Sequence, residues 1–131
     1  MLRIPSPLSD ELEDLIERII GCGITVHRAL GPGLLESIYA KAVCLELLAA
    51  DIPFECERRI AVEYRGTVLC HQRLDLIVDD RVVVEIKAVE RMNPVHHAQL
   101  LCYLHLSKLR AGLLMNFNSA VLKDGLKRVV L

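Results

Sequence analysis

The amino-acid sequence predicts a mixed α/β (α+β) fold, a central mixed β-sheet flanked by helices. Three observations predict it. Apolar residues recur at helical spacing from Leu12 to Ala49. The period changes to two from Phe54 onward, through a run of β-branched residues. Helical spacing then returns after Asn93-Pro94 and gives way to two short apolar runs. The predicted order is α-α-β-β-β-β-α-β-β, and strands grouped before a helix and further strands read as one sheet with helical cover. A chain of 131 residues is long enough for one domain with a real core and short for two, so residues 1–131 are expected to form a single domain.

The first helix is expected to start at Ser9, a good N-cap, with Asp10, Glu11 and Glu13 placing negative charge at the positive end of its dipole. Leu12, Leu15, Ile16, Ile19 and Ile20 supply its apolar stripe. Gly21 and Gly23 weaken helix propensity, and close packing against a neighbour is a reason to tolerate them. Gly31-Pro32-Gly33 should stop it. A second helix is expected from about Leu34 to Ala50, with Leu35, Ile38, Ala42, Leu45 and Ala49 on one face; Asp51-Ile52-Pro53 ends it.

Extended structure follows at Phe54, Cys56, Ile60, Val62 and Tyr64, turning at Arg65-Gly66. Val68 to Cys70 and Leu74 to Val78 are expected as two further strands. Asp79-Asp80 marks a turn, and Arg81 to Ala88 is a strongly β-branched strand. Asn93-Pro94 pairs an N-cap with a first-turn proline, opening a third helix to about Leu106. Ala111 to Phe117 reads as a buried strand and Leu126 to Leu131 as a last short one.

Composition narrows the class. Hydrophobic residues make up 53% and the mean hydropathy is +0.36, yet charges such as Glu46 and Lys108 interrupt every apolar run before it reaches membrane-spanning length. No membrane role is expected; the surplus apolar surface suggests a homo-oligomer or a protein partner. The first residues lack the apolar stretch of a secretion signal. Cys22, Cys44, Cys56, Cys70 and Cys102 are odd in number, never form Cys-x-x-Cys, and sit among apolar neighbours. Buried free thiols in a reducing, cytoplasmic setting are expected, rather than a zinc or iron–sulfur site. The net charge of −1 argues against strong non-specific nucleic-acid binding, so a grip on nucleic acid would need a local patch such as Arg58, Arg59, Arg65 and Arg73. Aromatics are 4% with no tryptophan, too few for a base-stacking platform.

Three charged residues carry the chemistry. Glu85 and Lys87 lie two apart on one strand and share a face. Asp75 precedes them on the other arm of a predicted hairpin, and the turn decides whether it joins them. A two-residue loop at Asp79-Asp80 pairs Asp75 with Val84 and puts Glu85 on the opposite face. An odd loop, Asp79-Asp80-Arg81, or a bulge sets Asp75 across from Glu85. The odd register or a bulge is the expectation, because a cation between opposed carboxylates gives a reason to keep a pair that otherwise repels. Oxygen ligands of this kind suit Mg²⁺ or Mn²⁺. Read alone, Glu-x-Lys on a strand is more often a solvated charged face than a functional pair.

The surrounding motifs add to this. Gly33-Leu34-Leu35-Glu36-Ser37-Ile38-Tyr39 has the form G-x-x-E-x-x-Y, and the stretch from Ala29 to Glu36 resembles the hallmark of the GxxExxY protein family. That family is similar to the PD-(D/E)XK nuclease superfamily. The resemblance continues through Arg73-Leu74-Asp75-Leu76, Val84 to Glu90, His97 to Tyr103 and Leu113 to Phe117. It implies a restriction-endonuclease-like core and a metal-dependent cut in a nucleic-acid phosphodiester. It also implies that Glu36, Asp75 and Glu85 hold Mg²⁺ or Mn²⁺, that Lys87 is the catalytic lysine, and that Gln99 and Tyr103, in the form Q-x-x-x-Y, support the acids or the substrate strand. Leu74 stands where the superfamily name has proline.

The bland roles are equally definite. Glu36 alone is an ordinary helix acid, and Tyr39 a packing residue with its hydroxyl at a polar boundary. Gln99 and Tyr103 alone are the polar edge of an amphipathic helix whose Leu100, Leu101 and Leu104 face the core. Adjacent His96 and His97 diverge by about a quarter-turn and rarely share an ion. His71 is a surface histidine on the strand of Asp75, and His27 and His105 have no evident partner. The alternative to a nuclease is a non-enzymatic module that uses the same fold to bind a protein or nucleic acid.

Overall fold

The computed structural model describes residues 6–131. Ser9 caps α1 (Asp10–Leu30), its hydroxyl accepting from the Leu12 N–H at 3.2 Å. The helix stops where Gly31 and Gly33 take positive φ values of 69° and 106°, conformations that cost glycine little. α2 (Glu36–Ala49) follows. β1 (Phe54–Tyr64) and β2 (Thr67–Val78) form a long hairpin around Arg65-Gly66. β3 (Val82–Lys87) leads to α3 (Pro94–Ser107), then β4 (Ala111–Asn116), a short 3-10 helix (Leu122–Gly125) and β5 (Leu126–Val130).

The five strands lie in the order β1-β2-β3-β4-β5. β3 and β4 are parallel, with α3 making the crossover, and the other neighbours are antiparallel. On one face, Leu76, Val78, Val82, Val84, Ile86, Leu113 and Met115 pack with Ile16 and Ile19 of α1 and Tyr39, Val43 and Leu47 of α2. On the other, Leu74, Ile77, Val83, Leu114 and Val129 pack with Leu100 and Leu104 of α3. This is the mixed α/β sheet with helical cover that the sequence predicts, and it has a restriction-endonuclease-like arrangement. Among the described residues no helix is long and apolar enough to cross a membrane.

Three expectations are corrected. Val68 to Cys70 and Leu74 to Val78 are one strand, because His71, Gln72 and Arg73 keep pairing with β1 although polar. The segment is an exposed two-stranded arm, where the ladder rather than burial holds the strand. Second, α2 faces the other way. Tyr39, Val43 and Leu47 are fully buried, whereas Leu35 is 71% and Leu45 69% exposed. Two apolar stripes compete on this helix, and the Tyr39 ring, stacked on Phe117 with centroids 4.6 Å apart, settles which one turns inward. Third, only one of the five cysteines, Cys22, is buried; Cys44 is half-buried, and Cys56, Cys70 and Cys102 are exposed. Apolar neighbours along the chain do not bury a side chain that points outward from its own element. The glycine reading holds at Gly23, where a Cβ would sit 3.0 Å from both Leu122 and Met115, but not at Gly21, which has open space.

The orientation of α2 makes a prediction. Leu47→Ala should cost about 2–5 kcal/mol in urea denaturation, and Leu45→Ala should stay within roughly 0.5 kcal/mol. Equal losses would contradict the assignment of the buried face.

Candidate active site

The β2–β3 turn sets the geometry. Val78 pairs with Val82, Ile77 with Val83 and Leu76 with Val84, so residues 79–81 form an odd loop. Asp79 and Asp80 both take φ 52°, a left-handed conformation that aspartate tolerates better than most residues. Counting on from Leu76 and Val84, Asp75 comes opposite Glu85. The backbone ladder stops there, and the side chains take over: Asp75 Oδ2 accepts from the Ile86 N–H at 2.9 Å, and Glu85 Oε1 accepts from the Asp75 N–H at 3.3 Å.

β1 and β2 are disturbed at the same level. Glu57, which lies beside Asp75 in the β1–β2 register, has φ 57° and drops out of the pairing. Side-chain alternation on β2 breaks there too, since Leu74 and Ile77, three residues apart, both face α3. The irregularity leaves Asp75 half-buried and able to line a cleft of about 340 Å³ on the α2 side, with Glu36, Ser37, Lys41 and Arg73 among its walls.

Glu85 is buried, at 6% exposure. Burial, and then the Asp75 charge, push its carboxyl up to about 8. Lys87 lies two residues on, half-buried, and its charge opposes that rise. Tyr103 is near enough that Glu85 and Asp75 add to the upward effect of its own burial. Gln99, one turn before Tyr103, lines with it a second, more apolar cleft of about 570 Å³ between α3 and the β1–β2 arm.

Glu36 comes from a different direction. It is exposed at the first turn of α2, and the loop before it is pinned by Tyr39. The Tyr39 hydroxyl donates to the Gly31 carbonyl at 2.5 Å and accepts from the Leu34 N–H at 3.1 Å. The G-x-x-E-x-x-Y spacing therefore has a physical reason: the tyrosine folds back over the glycine loop and fixes where the glutamate starts. The structure thus brings Asp75, Glu85, Lys87 and Tyr103 into one neighbourhood, and Glu36 faces the cleft that Asp75 lines. Among the described residues no three His, Cys, Asp or Glu side chains close on a common point. The preformed element is the Asp75–Glu85 pair.

Some groups take roles the sequence did not reveal. Asn116 is buried, donates from Nδ2 to the Val89 carbonyl at 2.9 Å and accepts at Oδ1 from the Val89 N–H at 3.0 Å. It anchors the chain just beyond Lys87, its partner across the β3–β4 ladder. An asparagine inside a strand of apolar residues was the available signal. His27 bonds the Ser119 carbonyl at 2.7 Å. His96 accepts from the Asn93 N–H at 3.2 Å, completing the α3 cap. The arginine patch is partly spent on ion pairs: Arg58 meets Glu55 at 3.2 Å and Asp80 at 3.1 Å, and Arg73 meets Glu57 at 3.5 Å.

Asp75 and Glu85 stand opposed, with Lys87 two residues beyond Glu85, at the point where β2 and β3 part. The chain belongs to the PD-(D/E)XK nuclease superfamily, whose family model matches residues 13–129. No curated protein and no solved structure gives a significant match.

Two predictions follow from the geometry. Between the ordinary glutamate value of 4.5 and about 8, the folded chain holds a proton on Glu85 that the unfolded chain has lost. The stability of the metal-free protein should therefore fall as pH rises through that window. Glu85→Gln should flatten this dependence and raise Tm at pH 8 by ~3 °C or more; superimposable pH profiles would contradict it. Tyr39→Phe should cost about 1–3 kcal/mol, because it leaves the Leu34 N–H and the Gly31 carbonyl without their partner. Chemical denaturation measures it, and an unchanged midpoint would show that the loop stands without the hydroxyl.

Proposed function

We propose that this protein is a divalent-metal-dependent nuclease that hydrolyses nucleic-acid phosphodiester bonds. One observation carries the reading. Asp75 and Glu85 face each other at a break in the sheet: Asp75 Oδ2 accepts from the Ile86 N–H at 2.9 Å and Glu85 Oε1 from the Asp75 N–H at 3.3 Å, with Lys87 two residues beyond Glu85. These bonds engage one oxygen of each carboxylate and leave the other for a cation. The donor set fits a hard ion: it is all oxygen, and a cation would offset the burial and the Asp75 charge that hold the Glu85 carboxyl protonated. Asp75 and Glu85 would hold Mg²⁺ or Mn²⁺, and Glu36, which lines the same cleft as Asp75, would complete its sphere directly or through water. The bound ion supplies a polarised phosphate oxygen and a water of lowered pKa.

This chain's own residues do the rest. The Lys87 ammonium orients the attacking water or stabilises negative charge developing on the phosphate. Tyr103 and Gln99, one helical turn apart, support the acids or guide the substrate strand. The G-x-x-E-x-x-Y spacing and its loop-pinning tyrosine support the finer assignment to the GxxExxY family. The free thiols support a reducing, cytoplasmic setting.

The test is cleavage of labelled single- and double-stranded DNA and RNA with Mg²⁺ or Mn²⁺. Wild type should cut at least one of them, and Lys87→Ala and Asp75→Asn should each slow the cut by ~100-fold or more while remaining folded. Cleavage indifferent to both changes, or none on any substrate, would overturn the proposal.

A second reading has its own support. Leu35, Ile38, Leu45 and Leu48 leave an apolar face of α2 open to solvent. A second copy of the chain or a protein partner would cover it, whether or not the site is active. Leu45→Asp should then convert an oligomer to monomer in a solution mass measurement; a wild-type monomer would remove the self-association form of this reading.

A further inference from the structure

We propose that Cys44 and Cys56 form a modification site, a reversible disulfide that ties α2 to β1 across the wall of the acidic cleft. The inference does not depend on the nuclease reading.

The two sulfur atoms are 3.1 Å apart, though both cysteines are free. A disulfide needs about 2.05 Å, so closure asks for roughly an ångström of travel from side chains already in contact. The residues belong to different elements, twelve positions apart, and no turn forces them together. Both line the cleft that holds Glu36 and Asp75. Cys22 is buried; Cys70 and Cys102 are exposed, as Cys56 is. Exposure alone therefore does not distinguish Cys56. What distinguishes it is a second thiol in reach.

The exchange is ordinary thiol–disulfide chemistry with a small disulfide such as oxidised glutathione. Cys56, the exposed member, attacks one sulfur of the oxidant. A mixed disulfide forms, and one glutathione thiolate leaves and is protonated. The Cys44 sulfur then attacks Cys56 Sγ, losing its proton to solvent, and the second glutathione leaves as a thiolate and is protonated. Two protein thiols are oxidised and one glutathione disulfide is reduced to two thiols. Burial, and then the hydrogen bond and charge of Cys56, hold the Cys44 thiol up at about 12. The Cys56 contributions vanish once Cys56 is in the mixed disulfide, so the first step eases the second. The closed bond fixes the separation of two walls of the cleft, and reduction releases it.

The experiment treats the full chain with excess oxidised glutathione, blocks the remaining thiols with a maleimide, and maps the peptides by mass. In the wild type a cross-linked peptide pair should join Cys44 to Cys56, with loss of two hydrogens and no retained glutathione there. Cys44→Ser should stop at a stable glutathione adduct on Cys56, and Cys56→Ser should leave Cys44 alkylated. Reduction with dithiothreitol should restore all five maleimide adducts. A lasting glutathione adduct on Cys56 in the wild type would overturn the proposal. So would a different cysteine pairing, or a Cys44–Cys56 pair still free after Cys70 and Cys102 have reacted.

Discussion

The register of the β2–β3 pair is the constraint that sets Asp75 opposite Glu85. Val78 pairs with Val82, and this fixes the parity of everything beyond it. One residue fewer in the turn would put Glu85 on the α1/α2 face, in the row now filled by Val82, Val84 and Ile86. The left-handed backbone at Asp79 and Asp80 is thus tied to the placing of Asp75 opposite Glu85. Burial and the Asp75 charge keep a proton on Glu85, and side-chain hydrogen bonds from the Ile86 and Asp75 N–H groups replace the ladder there. Strand pairing and the Asp75–Glu85 pair are one feature.

The surrounding packing serves that feature from several directions. Val84 and Ile86 anchor β3 in the α1/α2 layer, and Val83 anchors it against α3, so the strand cannot rotate to relieve Glu85. Asn116 binds the backbone at Val89 and limits fraying beyond Lys87. Tyr39 does two things with one side chain. Its ring stacks on Phe117 in the core, and its hydroxyl closes the glycine loop ahead of Glu36. A helical acid and a strand acid from distant parts of the sequence are thereby set against a common cleft.

Much of this was legible in the sequence because it rests on local rules. Ser9, Gly31 and Asn93 mark helix ends by their own backbone and side-chain chemistry, and they do so in the structure. The odd β2–β3 register is legible because a cation between Asp75 and Glu85 gives the chain a reason to keep two acids opposed. The losses are of another kind. The α2 stripe of Leu35, Ile38 and Leu45 is as apolar as the buried one, and periodicity cannot say which stripe meets the sheet; a tertiary contact, Tyr39 on Phe117, decides. The polar middle of β2 hid a continuous strand because pairing with β1 needs no apolar side chains. The contact of Cys44 with Cys56 depends on how α2 lies over β1, which spacing along the chain does not contain.

Glu85 offers the most direct test, because a cation entering beside Asp75 should expel the proton that burial holds there. We would titrate Mn²⁺ into the protein at pH 7 by calorimetry, in buffers of different ionisation enthalpy, alongside Asp75→Ala. Saturable binding is expected, with a heat that varies with the buffer and so reports proton release, and it should be lost in the variant. Binding that survives Asp75→Ala, or binding of wild type without proton release, would contradict the claim that these two carboxylates form one cation site.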